Sequence, residues 1–132
     1  MEPSILTSTK KVLGIAETYT VFDMDIITFI NTAFSILNQL GVGPVDGFFI
    51  EDESAEWEDF DVPANQLNLV RTYVFLKVRM LFDPPATSFL ISAMTDQLKE
   101  YEWRLNIFRE DLIPTPEPTP REEVDYVYRR TY

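Results

Sequence analysis

From Ile113 to Pro120 the chain places a proline at every second position: Ile113-Pro114-Thr115-Pro116-Glu117-Pro118-Thr119-Pro120. Proline fixes φ, has no N–H to donate, and pushes the residue before it out of the helical region, so no helix and no central strand can contain this stretch. It reads as an extended, polyproline-like spacer, and at about 3.1 Å per residue its eight residues reach roughly 25 Å. The chain therefore divides into a domain over residues 1–111 and an extended tail over 112–132, with the spacer at 113–120 and a separate end at 121–132. Any packed core must come from the first part. With 45% hydrophobic and 14% aromatic residues in the 132-residue chain, there is material for one modest core.

The domain reads as mainly α: about three long helices, a short helix before them, and a short β segment near 47–52. Residues 4–14 make the short first helix. Ser4 is its N-cap, Ile5, Leu6, Thr9, Val12 and Leu13 recur at helical spacing, and Gly14 stands where the helix stops. Asp23 to Leu40 is the clearest helix, with Asp23 as cap and Asp25 facing the positive end of the dipole. Its stripe is Ile26, Ile27, Ile30, Phe34, Leu37 and Leu40, and Gly41 with Gly43-Pro44 ends it. Pro63 to Phe82 is the next helix, with Pro63 at its first position, Leu67, Val70, Val74, Val78 and Leu81 at helical spacing, and Asp83-Pro84-Pro85 as the stop. The last runs from about Thr87 or Ser88 to about Arg109, with Phe89, Leu90, Ala93, Met94, Leu98, Tyr101, Leu105 and Phe108 as its apolar face.

Two stretches do not fit the helical period. The first is acidic: Asp46, Glu51, Asp52, Glu53, Glu56, Glu58, Asp59 and Asp61 occur with no Lys or Arg among them, and with Trp57 and Phe60 inside the run. This is either a solvated loop, or a surface that faces DNA without gripping it, or one that meets a basic partner. The two rings are anchors, in the chain's own core or in a neighbour's pocket. The second stretch is the tail end. Val124, Tyr126 and Tyr128 alternate with Asp125, Val127 and Arg129 in a β-prone, period-two pattern. A lone strand is unstable in water. A stiff spacer followed by an aromatic strand-former favours a strand held by another chain over a frayed terminus.

Composition narrows the chemistry. There is no Cys and no His, which removes thiolate and disulfide chemistry, Ser-His-Asp and Cys-His machinery, and the commonest metal ligand. The net charge of −11 argues against generic binding of phosphate backbones. Glu51-Asp52-Glu53 and Glu58-Asp59 lack the glycine and the ligand order of a calcium loop. Carboxylate pairs suited to glycoside hydrolysis carry no specificity in so acidic a chain. Gly41-Val42-Gly43-Pro44 follows a helix rather than a strand and is a helix stop, not a phosphate cradle. Arg71, Lys77 and Arg79 cap the negative end of their helix or pair with the acidic run. No secretory signal or membrane span is expected, and no cofactor, metal or catalytic residue is assigned. What remains is an amphipathic helical domain with an aromatic acidic loop and a tail, a protein whose chemistry is its contacts.

Three ordered blocks carry a family likeness. Asp25-Ile26-Ile27 through Ile30-Asn31-Thr32-Ala33-Phe34 leads into Leu37-Asn38-Gln39-Leu40-Gly41-Val42-Gly43-Pro44. Gly47-Phe48, Ile50, Asp52, Trp57 and Phe60 follow. Val70 and Tyr73 through Lys77-Val78-Arg79 then end in Phe82-Asp83-Pro84-Pro85 with Ser88-Phe89. Over residues 5–110 the chain resembles the head-to-tail connector (adaptor) proteins of siphophages, in the versions found in phages of actinobacteria. The resemblance implies a non-enzymatic virion protein at the head-tail junction, assembled in the host cytoplasm. It implies a ring of twelve copies beneath the portal protein that extends the channel for double-stranded DNA and offers a platform to a downstream stopper or tail connector. By position, the portal-binding segment would be the tail end, Val124, Tyr126, Val127, Tyr128, Arg129, Arg130 and Tyr132. A ring subunit needs lateral contacts, for which Phe48, Phe49, Ile50, Trp57 and Phe60 are the candidates. Glu51, Asp52, Glu53, Glu56, Glu58 and Asp59 would line the channel or form an outward docking face. The competing reading is an acidic regulatory module, a DNA mimic or host-factor binder.

Overall fold

Ser4 starts the first helix. Its backbone is extended, with φ −69° and ψ 129°, and its Oγ accepts a hydrogen bond from the Thr7 N–H at 3.2 Å, satisfying one of the donors that every helix start leaves open. The computed structural model describes residues 2–112. Within them lie four helices, α1 (Ile5–Val12), α2 (Asp23–Gln39), α3 (Ala64–Phe82) and α4 (Ser88–Leu112), with a single 3-10 turn at Trp57–Asp59. The mainly helical class is the one the periodicity predicts. The spacer at 113–120 and the tail end, with its portal-binding candidates, lie outside the described residues.

α2 and α3 pack side by side, α3 and α4 form a hairpin, and α1 lies against α2 and α3. α1 is more deeply set than its stripe predicts, because every residue from Ile5 to Lys10 is buried. Its hydroxyls find partners on their own helix: Ser8 Oγ donates to the Ser4 carbonyl at 2.7 Å and Thr9 Oγ1 to that of Ile5 at 2.8 Å, as buried polar groups require. Gly14, at φ +79°, then turns the chain out of the helix.

The core is built around Phe34, whose ring meets those of Phe48 at 4.9 Å, Phe60 at 5.0 Å and Trp57 at 6.3 Å between centroids. Gly43 holds the chain against this cluster at φ +91°, and a Cβ there would lie 2.4 Å from the Phe60 ring. Gly43→Ala combines a left-handed backbone with overpacking, and chemical denaturation should show a loss of about 2–4 kcal/mol.

Several local expectations are corrected. The segment near 47–52 forms no strand. Its backbone is held by a side chain instead, since Asn31 Oδ1 accepts from the Ile50 N–H at 2.8 Å and Asn31 Nδ2 donates to the Ile50 carbonyl at 3.0 Å. A carboxamide thus makes the pair of bonds that a neighbouring strand would make. The nearest approach to a sheet among the described residues is one antiparallel bridge between Ser4 and Glu56. Asp23 does not cap α2: the cap position is Phe22, with no side-chain bond, because the Asp23 carboxylate is engaged by Lys10 at 2.8 Å. Pro63 is the N-cap of α3 rather than its first helical residue. Among the described side chains the apolar face of α4 reaches the core through Leu98, Leu105 and, at its edge, Tyr101, while Phe89 and Leu90 are exposed. At the end of α3, Phe82 packs edge-on against Phe22 at 5.3 Å and Phe29 at 6.4 Å, toward α2 rather than toward the first turn of α4.

Candidate functional site

From Ile50 to Asp61 the acidic run forms an arc over α1 with its large apolar residues pointing in and its carboxylates out. Ile50, Trp57 and Phe60 are buried, while Glu51, Asp52, Glu53, Glu56, Glu58, Asp59 and Asp61 are exposed. The arc is fastened at its centre. Ile5 N–H donates to the Ala55 carbonyl and Trp57 N–H to that of Pro3, both at 3.0 Å. Ser4 Oγ donates to the Glu53 carbonyl at 2.8 Å, and the Trp57 indole N–H to Ser8 Oγ at 2.8 Å. Some of the carboxylates shape their own loop. Asp52 accepts from both the backbone and hydroxyl of Ser54, and these bonds hold its pKa below the usual carboxylate value, the hydroxyl bond first. Glu56 and Asp59 cap each other's backbone N–H groups across the 3-10 turn.

Among the described residues no carboxylate of the arc is in an ion pair, and no cluster of three or more acidic groups gathers in a form that would hold a metal ion. Of the two roles expected for the α3 cations, capping the helix end or pairing with the arc, the first is seen at Arg79, and no pair with the arc forms among the described residues. Arg71 lies over the rings of Trp57 at 5.6 Å and Phe75 at 5.7 Å, a cation–π arrangement. Arg79 Nε donates to the Asp83 carbonyl at 2.7 Å and closes the end of α3, as a cation at a helix C-terminus should.

Of the five residues proposed to reach a neighbour, three are used up within the chain. Ile50, Trp57 and Phe60 are core residues, and Phe48 packs against Phe34 and Phe60 at the core's edge. Phe49 is 66% exposed.

The larger apolar surface lies elsewhere. α2 begins, α3 ends and α4 begins at the same end of the bundle, tied by the Phe22–Phe82 contact. Exposed there are Val21, Met24, Leu81, Phe89, Leu90 and Ile91, with Met24 at 77% and Phe89 at 78%. Periodicity missed this surface because Phe89 and Leu90 fit the same helical stripe as the core residue Leu98. The available signal was charge, since none of the twelve residues from Pro84 to Thr95 is charged.

At the other end of the α3–α4 hairpin is an open groove of about 690 Å³, lined by residues that include Asn65, Asn68, Leu69, Tyr101, Trp103 and Ile107. Arg104 and Glu100 also line it and pair with each other at 2.8 Å, so these two charges cancel. Trp103 is 63% exposed at its edge. Between α3 and α4 Tyr73 is fully buried and donates its hydroxyl to Glu102 at 2.8 Å. Burial first, and the Glu102 carboxylate second, raise the phenol far above its ordinary pKa, so it serves as a fixed donor rather than a titrating group.

Thus the described surface carries an acidic arc, an apolar end built around the uncharged stretch Pro84–Thr95, and a groove whose two described charges pair with each other. A family model described as phage connector protein matches residues 5–111, most of the chain. The chain belongs to the phage connector protein family. No curated protein and no solved structure matches it. The likeness read from the three sequence blocks is confirmed at the level of the family. A phage connector protein is a structural component and not an enzyme, so its working parts are surfaces offered to neighbours. Among the described residues no helix is long and apolar enough to cross a membrane.

Proposed function

We propose that this connector protein assembles as a ring, of twelve copies by resemblance, beneath the portal at the head-tail junction of the virion, where it extends the DNA channel and receives a stopper or tail connector below. The placement among actinobacterial phages rests on the sequence blocks alone. The observation that carries the ring reading is the exposed apolar end, Val21, Met24, Leu81, Phe89, Leu90 and Ile91, in a chain that otherwise directs charge to solvent. Monomeric proteins rarely leave such contiguous apolar surface uncovered. In this reading Val124, Tyr126, Val127, Tyr128, Arg129, Arg130 and Tyr132 join the portal by strand addition, with the proline spacer giving them reach. The acidic arc lines the channel, where it repels phosphate, or docks the protein below.

The arc's carboxylates face solvent without ionic partners among the described residues, which also favours the second reading, an acidic module that binds a basic host factor. One set of measurements separates the two. The mass of the purified protein is determined alone and after mixing with portal rings, for the full chain, for a chain ending at Pro120, and for a variant with Glu51, Asp52, Glu53, Glu56, Glu58 and Asp59 changed to their amides. The connector reading expects ring-sized species or stoichiometric capture by the portal, capture reduced at least tenfold by the truncation, and assembly preserved in the amide variant. A monomer or dimer that ignores portal rings, yet binds a basic partner in a salt-dependent and arc-dependent way, would replace it with the acidic module. Capture unchanged by the truncation would remove the tail's role.

A further inference from the structure

We infer that the apolar end of one copy, Leu81 with Phe89, Leu90 and Ile91, seats in the α3–α4 groove of the next copy, against Leu69, Tyr101, Trp103 and Ile107. This rests on the ring reading and names the two faces that would build it. Three observations point to a second copy as the occupant.

The first is electrostatic. At net charge −11, two copies repel wherever their carboxylates face each other. These two surfaces bear little of that cost: the stretch Pro84–Thr95 carries no charge, and among the described residues lining the groove the charged pair Glu100 and Arg104 neutralise each other at 2.8 Å. The second is shape. One surface is a projecting turn, with Phe89 at 78% exposure, and the other is a groove of about 690 Å³ flanked by an exposed indole. The third is position. Both surfaces sit on the same rigid helix, and Leu90 and Tyr101 are eleven residues apart, about 16 Å along α4 at 1.5 Å per residue. The projecting turn cannot fold back into its own groove. Among the described residues each copy therefore has one unfilled groove and one unburied projection, so the contact is head-to-tail. Such a contact repeats from copy to copy and closes into a ring when its rotation permits.

The chain has no cysteine, so introduced thiols report the contact directly. Ser88→Cys places one beside the projection, and Asn68→Cys places one in the groove, leaving the apolar residues intact. The full chain carrying both is oxidised mildly, alone and on portal rings, beside each single variant and the wild type, whose mass is measured in parallel. The expected result is a ladder of covalent multimers from the double variant and none from either single variant. Wild-type assembly by mass without a ladder from the double variant would overturn the inference while leaving the ring reading standing. A wild type that stays monomeric even with portal rings would overturn both. Covalent dimers from Ser88→Cys alone would show the projections meeting each other and would also overturn it. A second test reads the same contact without thiols. Leu90→Glu and Trp103→Glu should each weaken self-association at least tenfold with unchanged far-UV circular dichroism. An equimolar mixture should form a dimer that grows no further, because it holds one intact projection and one intact groove. Self-association unchanged in both variants would overturn the inference.

Discussion

Trp57→Ala is expected to lower the free energy of unfolding by about 3–5 kcal/mol, the range for truncating a large buried aromatic. Trp57 is 3% exposed. Its ring meets Phe34 and stands edge-on to Phe75 at 5.6 Å, Arg71 lies over it, and its N–H is bound by Ser8 Oγ. A small domain has only about 5–15 kcal/mol in total, so the variant should be close to unfolding at room temperature. The acidic arc should loosen first, because Trp57 is its central attachment to α1. Urea denaturation followed by circular dichroism measures the loss, and amide exchange over residues 51–61 reports on the arc. Trp57→Phe keeps much of the packing and loses the hydrogen bond, so it should cost distinctly less. A loss under 1 kcal/mol for the alanine variant would contradict the placement of this side chain.

Lys10→Met should cost about 2–3 kcal/mol, although it conserves side-chain volume and increases apolarity. Lys10 is 2% exposed, and its ammonium has three partners: the Asp23 carboxylate at 2.8 Å and the carbonyls of Glu17 at 3.0 Å and Tyr19 at 2.8 Å. Methionine fills the space but leaves a carboxylate and two carbonyls without their donor. The cost falls below the 3–5 kcal/mol typical of breaking a fully buried pair because the Asp23 side chain keeps 24% of its surface in water. The loss should appear in the urea midpoint, together with faster amide exchange across residues 14–22, the loop that the ammonium pins. If the exchange rates of that loop did not change, Lys10 would not be the group that holds it.

Local rules made much of the fold legible. Ser4 as cap, Gly14 and Gly41 as stops and Asp83-Pro84-Pro85 as a break are properties of a few adjacent residues, and the structure shows each where the chain places it. The stripe Ile26, Ile30, Phe34 and Leu37 is buried for the same reason, since a 3.6-residue period puts those side chains on one face whatever lies opposite. The local rules failed where a distant group competes for the same atoms. Asp23 looked like a cap until Lys10, thirteen positions away, took its carboxylate. The segment at 47–52 looked like a strand until Asn31 supplied the bonds of one.

The candidate surfaces divide in the same way. Composition already determined that this chain works without thiol or imidazole chemistry and displays a concentrated acidic run, because those facts depend only on which residues are present. Which large apolar side chains stay in water depended on the tertiary structure. Phe48, Ile50, Trp57 and Phe60 turn inward because Phe34 and α1 offer them a surface. Phe89, Leu90 and Ile91 remain outside, while Phe82 nearby packs against Phe22 and Phe29 at α2's end. Periodicity identifies an apolar face, but only packing shows whether anything in the same chain covers it.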